Sequence, residues 1–423
     1  MRFNPNTLVA VTASAALLAG CSGENIPVPE NPEISQQQTP GQTYDKVVVN
    51  FAEAPWSTAT PQEKQQKALQ DVKTGLQNLY DSSFGKGFDP ADVPVINAGT
   101  VKLEGVGEVK QLCSSEGTQA LHNKVVDAVQ KSAPQNVGET VLSYIVFNGI
   151  DQNTCAKEQT TEVGLVGGAT TNLGQSKVVI WGDNTEHKAI GTYIAAHEGV
   201  HAPPYNLTTT TATMCGPEKA SGRHGEPETS QDIPLSKKDC TVALLRDFNT
   251  ITGHDSDKQD MFSGPELMSL GAITNEQVVT LEKSGQPLRV KLDALQNPTH
   301  SGQKKLIRVP SAEVMDFPDL IALGGDIYIE LSKGSEDGQD GSPLSIKAYL
   351  ANKDVVAGNA DSYSKPPSII STASHSGSKN TNAAGKGLSL VGTKGKLSVT
   401  INSIDATASD KGSAELSVQL SSI

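Results

Sequence analysis

The sequence predicts an α+β protein, with a mixed domain of helices and a twisted sheet over residues 44–285 and an all-β sandwich over residues 286–423. Three observations support this prediction. Strand and helix signals alternate along the first range, whereas apolar and polar residues alternate with a period of two along parts of the second. Within the first range, residues 190–201 have the length and the apolar stripe of a helix that is entered from a sheet.

Residues 1–20 are predicted to be a targeting segment rather than part of the fold. Arg2 supplies a positive charge, residues 7–18 form a short apolar stretch, and Leu18-Ala19-Gly20-Cys21 resembles the lipobox of bacterial lipoproteins. The resemblance implies that Cys21 becomes the lipid-modified N-terminus of an exported, membrane-anchored protein. A plain signal peptide followed by a chance cysteine is the alternative interpretation.

Residues 21–43 form the predicted link between this anchor and the folded part. They are rich in Pro, Gln and Glu and poor in core-forming residues, a composition typical of a flexible tether. Ser22 follows the cysteine and implies, by resemblance to sorted lipoproteins, the outer membrane, either at its periplasmic face or at the cell surface.

The elements of the mixed domain are predicted from residue 44 onwards. Residues 46–51 read as a strand, and Thr60-Pro61-Gln62-Glu63 has the pattern of a helix start. Apolar residues then recur at helical spacing, so that one face of this helix carries Leu69, Val72, Leu76 and Leu79. Further signals predict, in order, a strand at 100–103, a helix at 117–131, and strands at 140–147, 162–169 and 177–181.

The helix predicted at 190–201 carries the sharpest chemical signal, His197-Glu198-Gly199-Val200-His201. Residues four apart lie on one face of a helix, so His197 and His201 can direct their imidazole nitrogens to one metal ion. Glu198 is placed where its carboxylate can reach a metal-bound water without binding the metal itself. The motif predicts zinc-dependent hydrolysis, with Glu198 accepting the proton of a water whose pKa the metal lowers. A chance occurrence on an ordinary helix is the alternative.

A catalytic zinc ion normally takes three protein ligands, so a third ligand must come from elsewhere. Gly253-His254, Met261 and residues 274–281 follow the helix in an order that resembles the metzincin family of zinc peptidases. The resemblance implies that His254 is the third zinc ligand and that Met261 forms a turn beneath the metal. It also implies that residues 274–281, which begin with a Thr274–Gln277 capping box, form a closing helix.

The spacing departs from that family. Metzincins place the third histidine shortly after the helix, whereas here residues 202–252 intervene and are interpreted as an insertion near the cleft. His224 lies within this insertion and is a competing ligand. Glu226 or Glu228 would instead suit the zinc peptidases whose third ligand is a glutamate.

Four cysteines remain when Cys21 is set aside, an even number in a chain predicted to be exported to an oxidising compartment. Two disulfides are therefore expected. The favoured pairing is Cys113–Cys155 with Cys215–Cys240, because the second pair would cross-link the insertion. A structural zinc site built from these cysteines is disfavoured, because they lack any C-x-x-C spacing.

Beyond residue 285 the pattern changes to short period-two runs separated by Gly, Ser and Asn turns, which predicts the β-sandwich. The runs lie at residues 326–331, 344–350, 397–401 and 416–420. Residues 357–388 are rich in Ser, Lys, Asn and Gly, and are predicted to form a long loop within the sandwich.

The formal net charge of −13 argues against nucleic acid as a partner. The favoured function is zinc-dependent hydrolysis of peptide bonds in a protein or peptide substrate by a membrane-anchored lipoprotein. A non-catalytic surface lipoprotein that binds a partner through its sandwich is the main alternative. Hydrolysis of a peptidoglycan cross-link or another amide is a further one. The intact Glu198 favours an enzyme.

Overall fold

The computed structural model describes residues 44–106, 124, 141–148, 170–173, 176–183, 190–200, 205, 207, 210–215, 232–235, 240–244, 250–252, 262–281, 286–297, 302–315, 325–333, 344–352, 356, 368–374, 387–405 and 412–422. These residues fall into two compact units. The first unit contains the described residues up to 207, apart from 82–86. The second contains residues 82–86 and the described residues after 207.

A five-stranded sheet forms the centre of the first unit, with the strand order β2-β1-β3-β5-β4. Four of its strands are parallel, and β4 pairs antiparallel with β5 at one edge. The central strands β1 and β3 are mostly apolar and do not alternate, because they are buried on both faces. The strands are β1 (Lys46–Glu53), β2 (Val95–Lys102), β3 (Val141–Asn148), β4 (Thr170–Leu173) and β5 (Ser176–Asp183).

The strands predicted at 46–51, 140–147 and 177–181 are therefore present as β1, β3 and β5. The strand predicted at 100–103 is the second half of a longer strand, β2. The remaining two predictions lie outside the described residues. These are the strand at 162–169 and the helix at 117–131, of which only Lys124 is described, as helical.

Helix α1 (Gln62–Ser82) begins close to the predicted start. The Gln65 backbone N–H donates to the Pro61 carbonyl at 3.0 Å, and the Gln65 side chain donates to the Thr60 carbonyl at 2.8 Å. The predicted apolar stripe is largely correct: Val72, Leu76 and Leu79 are fully buried, whereas Leu69 is half-buried and Ala68 is buried beside it. None of the helices in the described ranges is both long and apolar enough to cross a bilayer.

The second unit is built from two sheets. The seven-stranded sheet has the order β8-β6-β14-β13-β12-β11-β9, and the five-stranded sheet has the order β10-β17-β16-β15-β7. The strands are β6 (Thr211–Cys215), β7 (Asp232–Pro234), β8 (Cys240–Leu244), β9 (Val278–Thr280), β10 (Leu288–Asp293), β11 (Leu306–Val309), β12 (Asp326–Lys333), β13 (Leu344–Ala351), β14 (Ser368–Ser374), β15 (Gly387–Val391), β16 (Gly395–Asp405) and β17 (Ser413–Ser422).

Both sheets contribute to one hydrophobic core, so the second unit is a β-sandwich. Ile329 and Ile346 enter this core from the larger sheet, and Leu397 and Val418 enter it from the smaller one. The four predicted period-two runs correspond to β12, β13, β16 and β17.

Residues of the predicted insertion belong to this sandwich. β6 pairs in parallel with β14, and β7 pairs in parallel with β15. Cys215 and Cys240 are opposite each other in the antiparallel β6–β8 pair and form a disulfide, which is the pairing favoured from the sequence. The two compact units divide at residue 207, whereas the sequence pattern placed the domain boundary at residue 285.

Two predictions in this unit are wrong. Residues 274–281 were expected to form a closing helix, but they form one 3-10 turn (Asn275–Gln277) followed by β9. The Gln277 side chain does accept the Thr274 N–H at 3.0 Å, yet the β-branched residues that follow pair with β11. Residues 357–388 are not one long loop, since they contain β14 and the start of β15.

Candidate functional site

Helix α2 (Ile190–Val200) carries the two predicted site residues that the structure describes, His197 and Glu198. It follows β5 along the chain, as the sequence predicts. All six residues from Ala195 to Val200 are buried and together they cover every side of the helix, a pattern typical of a helix enclosed by other elements. The site residues are therefore held on a packed element rather than on a loop.

A hydrogen bond joins α2 to the central sheet. The hydroxyl of Tyr144, in β3, donates to the backbone carbonyl of Ala195 at 2.8 Å. The Tyr144 side chain is completely buried. Because Ala195 precedes Glu198 by less than one helical turn, this bond fixes the height of the site residues above the sheet.

Two glycines allow α1 and α2 to approach closely. A Cβ atom at Gly75 would lie 2.5 Å from the Thr192 carbonyl oxygen and 2.9 Å from the Ala195 Cβ. A Cβ atom at Gly199 would lie 3.0 Å from the Leu76 Cδ2. The backbones of the two helices pass each other at a distance that only glycine permits at position 75. The packing of α1 therefore helps to set the position of α2, which carries His197.

His197 is almost enclosed, with 4% of the residue exposed. The hydroxyl oxygen of Tyr193, one turn earlier in α2, lies 3.5 Å from Nδ1, and the two ring centroids are 5.7 Å apart. Nε2 is the other ring nitrogen, separated from Nδ1 by Cε1. Metal-binding histidines commonly use one nitrogen for the metal and the other for such a polar neighbour.

Glu198 is fully buried. Burial disfavours the charged form of a carboxyl group, so a carboxylate at this position requires compensation from hydrogen bonds or a nearby cation. Glu198 also acts on Tyr144: burial raises the pKa of the Tyr144 phenol, and the negative charge of Glu198 raises it further. The carboxylate and the phenol thus lie within electrostatic range of each other in the interior of the first unit.

The donor types present suit zinc, because a neutral imidazole is a common zinc ligand and an adjacent carboxylate is a suitable base. Within the described ranges, no group of three or more His, Cys, Asp and Glu side chains is arranged to hold a metal ion. His201 and His254, the other predicted ligands, lie outside those ranges. The same holds for Met261 and for the competing candidates His224, Glu226 and Glu228.

Of the other predicted special residues, only the Cys215–Cys240 disulfide falls within the described part of the chain. Cys21, Cys113 and Cys155 lie outside it. Lipidation at Cys21 and the Cys113–Cys155 pairing therefore stay predictions.

Sequence reasoning missed three residues that shape this site: Gly75, Tyr144 and Tyr193. Gly75 lies on the apolar face of α1, and a glycine at such a position indicates a close backbone approach. Tyr193 is four residues before His197, so both lie on one face of the helix. Tyr144 carries no such signal, since a tyrosine within an apolar strand indicates core packing.

The chain matches no protein-family model, and no curated protein or solved structure is similar enough to count as a match.

Proposed function

We propose that this chain is a zinc-dependent endopeptidase of the metzincin type. The enclosed His197–Glu198 pair on α2, with Tyr193 at the His197 Nδ1, is the observation that carries the proposal. His197, His201 and His254 are the proposed zinc ligands, and Met261 is the proposed turn residue beneath the metal. Glu198 is the proposed catalytic base.

The fold of the first unit supports this proposal. The metzincin resemblance implies a sheet with a backing helix that leads into the ligand-bearing helix. Here β5 precedes α2 along the chain, Tyr144 of β3 bonds α2, and α1 packs closely against it. These elements support the proposal on the N-terminal side of the site.

Each described residue has a distinct role in the proposed reaction. Bound zinc would supply a water of lowered pKa and would polarise the scissile carbonyl. His197 would bind through Nε2, because the Tyr193 hydroxyl lies beside Nδ1. Glu198 would accept the proton of the attacking water and deliver it to the leaving amine. Its burial keeps bulk water from competing for that proton.

The location of the enzyme is a separate proposal. Cys21 would carry the lipid, and residues 21–43 would hold the folded units away from the outer membrane surface. A Cys21→Ser variant is expected to appear in the soluble fraction, whereas the unaltered chain is expected to sediment with membranes. Equal partitioning of the two proteins would contradict the anchor.

The metal content of the soluble form beginning at Ser22 tests the enzymatic proposal. Elemental analysis is expected to find one zinc per chain, lost in His197→Ala and His254→Ala and retained in Glu198→Gln. His224→Ala is the matched control and is expected to keep zinc. In a peptide-library digest, Glu198→Gln is expected to retain its metal but lose cleavage by at least about a hundredfold.

Three results would change the assignment. Zinc retained in His254→Ala but lost in His224→Ala would move the third ligand into the predicted insertion. Absence of zinc and of cleavage in the unaltered chain would favour a non-catalytic lipoprotein that binds a partner through its sandwich. Cleavage of a peptidoglycan cross-link, with no cleavage of peptides, would keep the zinc chemistry and change the substrate.

A further inference from the structure

The smaller sheet of the second unit has an open edge at β10. Within the described residues, β10 pairs only with β17, so one side of this strand has no neighbouring strand. A groove of about 610 Å³, called the β10 groove below, lies against this strand. It is lined by residues 288–291 and Asp293 of β10, by residues 302–304, and by Val279 of β9.

Two hydrogen bonds show which backbone groups of β10 face the open side. The Ala294 N–H, one residue beyond the strand, donates to the Gly412 carbonyl at 3.1 Å and so continues the pairing with β17. The Asp293 N–H donates in the opposite direction, to the Lys304 carbonyl at 2.9 Å. Backbone groups alternate in direction along an antiparallel strand. The odd-numbered residues of β10 therefore direct their N–H and C=O groups to the open side.

Arg289 and Lys291 are the odd-numbered residues whose backbone groups face the groove without a neighbour. Within the described ranges, no hydrogen bond reaches these outward groups. A row of unpaired backbone groups at a sheet edge is what an incoming strand binds. At Asp293 the protein itself fills this role, because the Lys304 carbonyl accepts the Asp293 N–H. The open edge thus begins where the protein's own pairing ends.

The far wall of the groove is fixed to the sandwich. Lys305 is fully buried, and its ammonium group donates to the carbonyls of Ala294 and Asn297 at 2.9 and 3.0 Å. The neighbouring Lys304 ammonium group donates to the Glu276 carbonyl at 2.6 Å. A peptide that enters the groove therefore meets a preformed wall, which lowers the entropic cost of binding.

The groove is positively charged, although the whole chain has a formal net charge of −13. Arg289, Lys291 and Lys304 line it together with one carboxylate, that of Asp293. Glu415 lies opposite Lys291 on β17, so three cations face two carboxylates. Arg289 and Lys291 are exposed, and neither forms an ion pair within the described part of the chain. The groove therefore favours an anionic occupant.

A second copy of the same edge is a poor occupant. Pairing two β10 strands would place the Arg289 and Lys291 side chains of both copies on one sheet, and like charges on neighbouring strands repel each other. Basic side chains on an edge strand are a common protection against such pairing. The same side chains attract a strand that carries carboxylates.

We propose that the β10 groove binds an extended acidic peptide segment of a partner protein, which adds to the smaller sheet as a further strand. The backbone groups of Arg289 and Lys291 would supply main-chain hydrogen bonds. Their side chains, with that of Lys304, would select carboxylates on the peptide. The inference uses only residues of the second unit and does not depend on the zinc site.

Fluorescence anisotropy with a labelled peptide of alternating Glu and Thr tests the proposal on the soluble form beginning at Ser22. A metal chelator is present, so that the proposed peptidase activity does not interfere. The peptide is expected to bind, and a peptide with Lys in place of Glu is not. Arg289→Glu and Lys291→Glu are each expected to weaken binding about fivefold to tenfold.

Lys394→Glu is the matched control, because Lys394 is an exposed cation of the same unit that does not line the groove. It is expected to change the affinity less than about twofold. Absence of binding by the acidic peptide, or equal effects of the three charge reversals, would overturn the proposal.

N-methylation of the peptide separates strand addition from binding by charge alone. Only every second N–H of an added strand faces the sheet edge. Methylating one alternate set of residues is therefore expected to weaken binding at least about tenfold, and methylating the other set less than about twofold. Equal effects of the two sets would show that the groove attracts acidic peptides by charge without pairing, and would overturn strand addition.

Discussion

The hydroxyl of Tyr144 lies 2.8 Å from the carbonyl oxygen of Ala195, and this hydrogen bond connects the central sheet to the helical turn that carries His197 and Glu198. The bond is buried, so its loss is not replaced by water. Tyr144 thereby belongs to the support of the candidate site, although nothing in its local sequence indicates this role.

Substituting Tyr144→Phe should lower the free energy of unfolding by about 1 kcal/mol, because the ring keeps its packing and only the hydrogen bond is lost. Urea denaturation at neutral pH measures this change. Zinc affinity should fall modestly in the same variant, since α2 loses a contact next to the site. Tyr328→Phe, which removes a hydroxyl from the second unit, is the control and should leave zinc affinity unchanged.

The stability of the protein should fall as the pH rises above about 10. Burial raises the pKa of Tyr144 above its ordinary value of 10.0, with a further contribution from Glu198, and burial raises the pKa of Tyr328 to about 12. Above pH 10 the unfolded phenols release protons that the folded ones retain, which favours unfolding. Urea denaturation from pH about 8 to about 11 should show a smaller decline in Tyr144→Phe. An unchanged decline would mean that Tyr144 ionises freely in the folded state.

The sequence was most informative where local pattern and tertiary environment agree. β1 and β3 are mostly apolar and do not alternate, because both faces of the sheet are covered, and the α1 stripe coincides with the buried residues Val72, Leu76 and Leu79. In the sandwich, the period-two runs mark strands with one face in the core. The sequence pattern also predicted correctly that His197 and Glu198 lie on one helix that follows a strand.

Long-range pairing accounts for most of the features that were missed. β7 has only three residues and its pattern is unremarkable, but it pairs with β15, which is distant in sequence. Residues 278–280 follow a capping box that predicts a helix, yet they pair with β11. Pairings of this kind decide the outcome when local propensity is weak. The contact between Gly75 and Thr192 likewise depends on how two helices meet.

Gly75→Ala should destabilise the protein by about 1 to 3 kcal/mol, because the new methyl group would meet the Thr192 carbonyl oxygen at 2.5 Å. Alanine is the better helix former by about 1 kcal/mol, so a loss of stability would report the steric clash and not the helix propensity. Lys73→Ala, at an exposed position of α1, is the control for urea denaturation. A stabilised Gly75→Ala variant would contradict the close approach of the two helices.

Tyr193→Phe should weaken zinc binding by about threefold to tenfold. The variant keeps the aromatic ring, whose centroid is 5.7 Å from that of His197, and removes only the oxygen beside Nδ1. Loss of a polar partner of a metal-binding histidine typically weakens binding by about 10- to 100-fold, and the 3.5 Å separation places the expected effect at or below the lower limit. Chelator competition measures the affinity. Equal affinities in the two proteins would remove Tyr193 from the site.

Replacing both Cys215 and Cys240 with alanine should lower the free energy of unfolding by about 3 kcal/mol, because their disulfide closes a loop between residues 25 apart in sequence. The bond also joins β6 to β8 at one edge of the larger sheet, so its loss should destabilise the sandwich. Urea denaturation with and without a thiol reductant measures the effect. Reductant should bring the unaltered chain down to the stability of the double variant or below it. Any further destabilisation of the double variant by reductant would report a second disulfide, and Cys113 with Cys155 is the predicted pair.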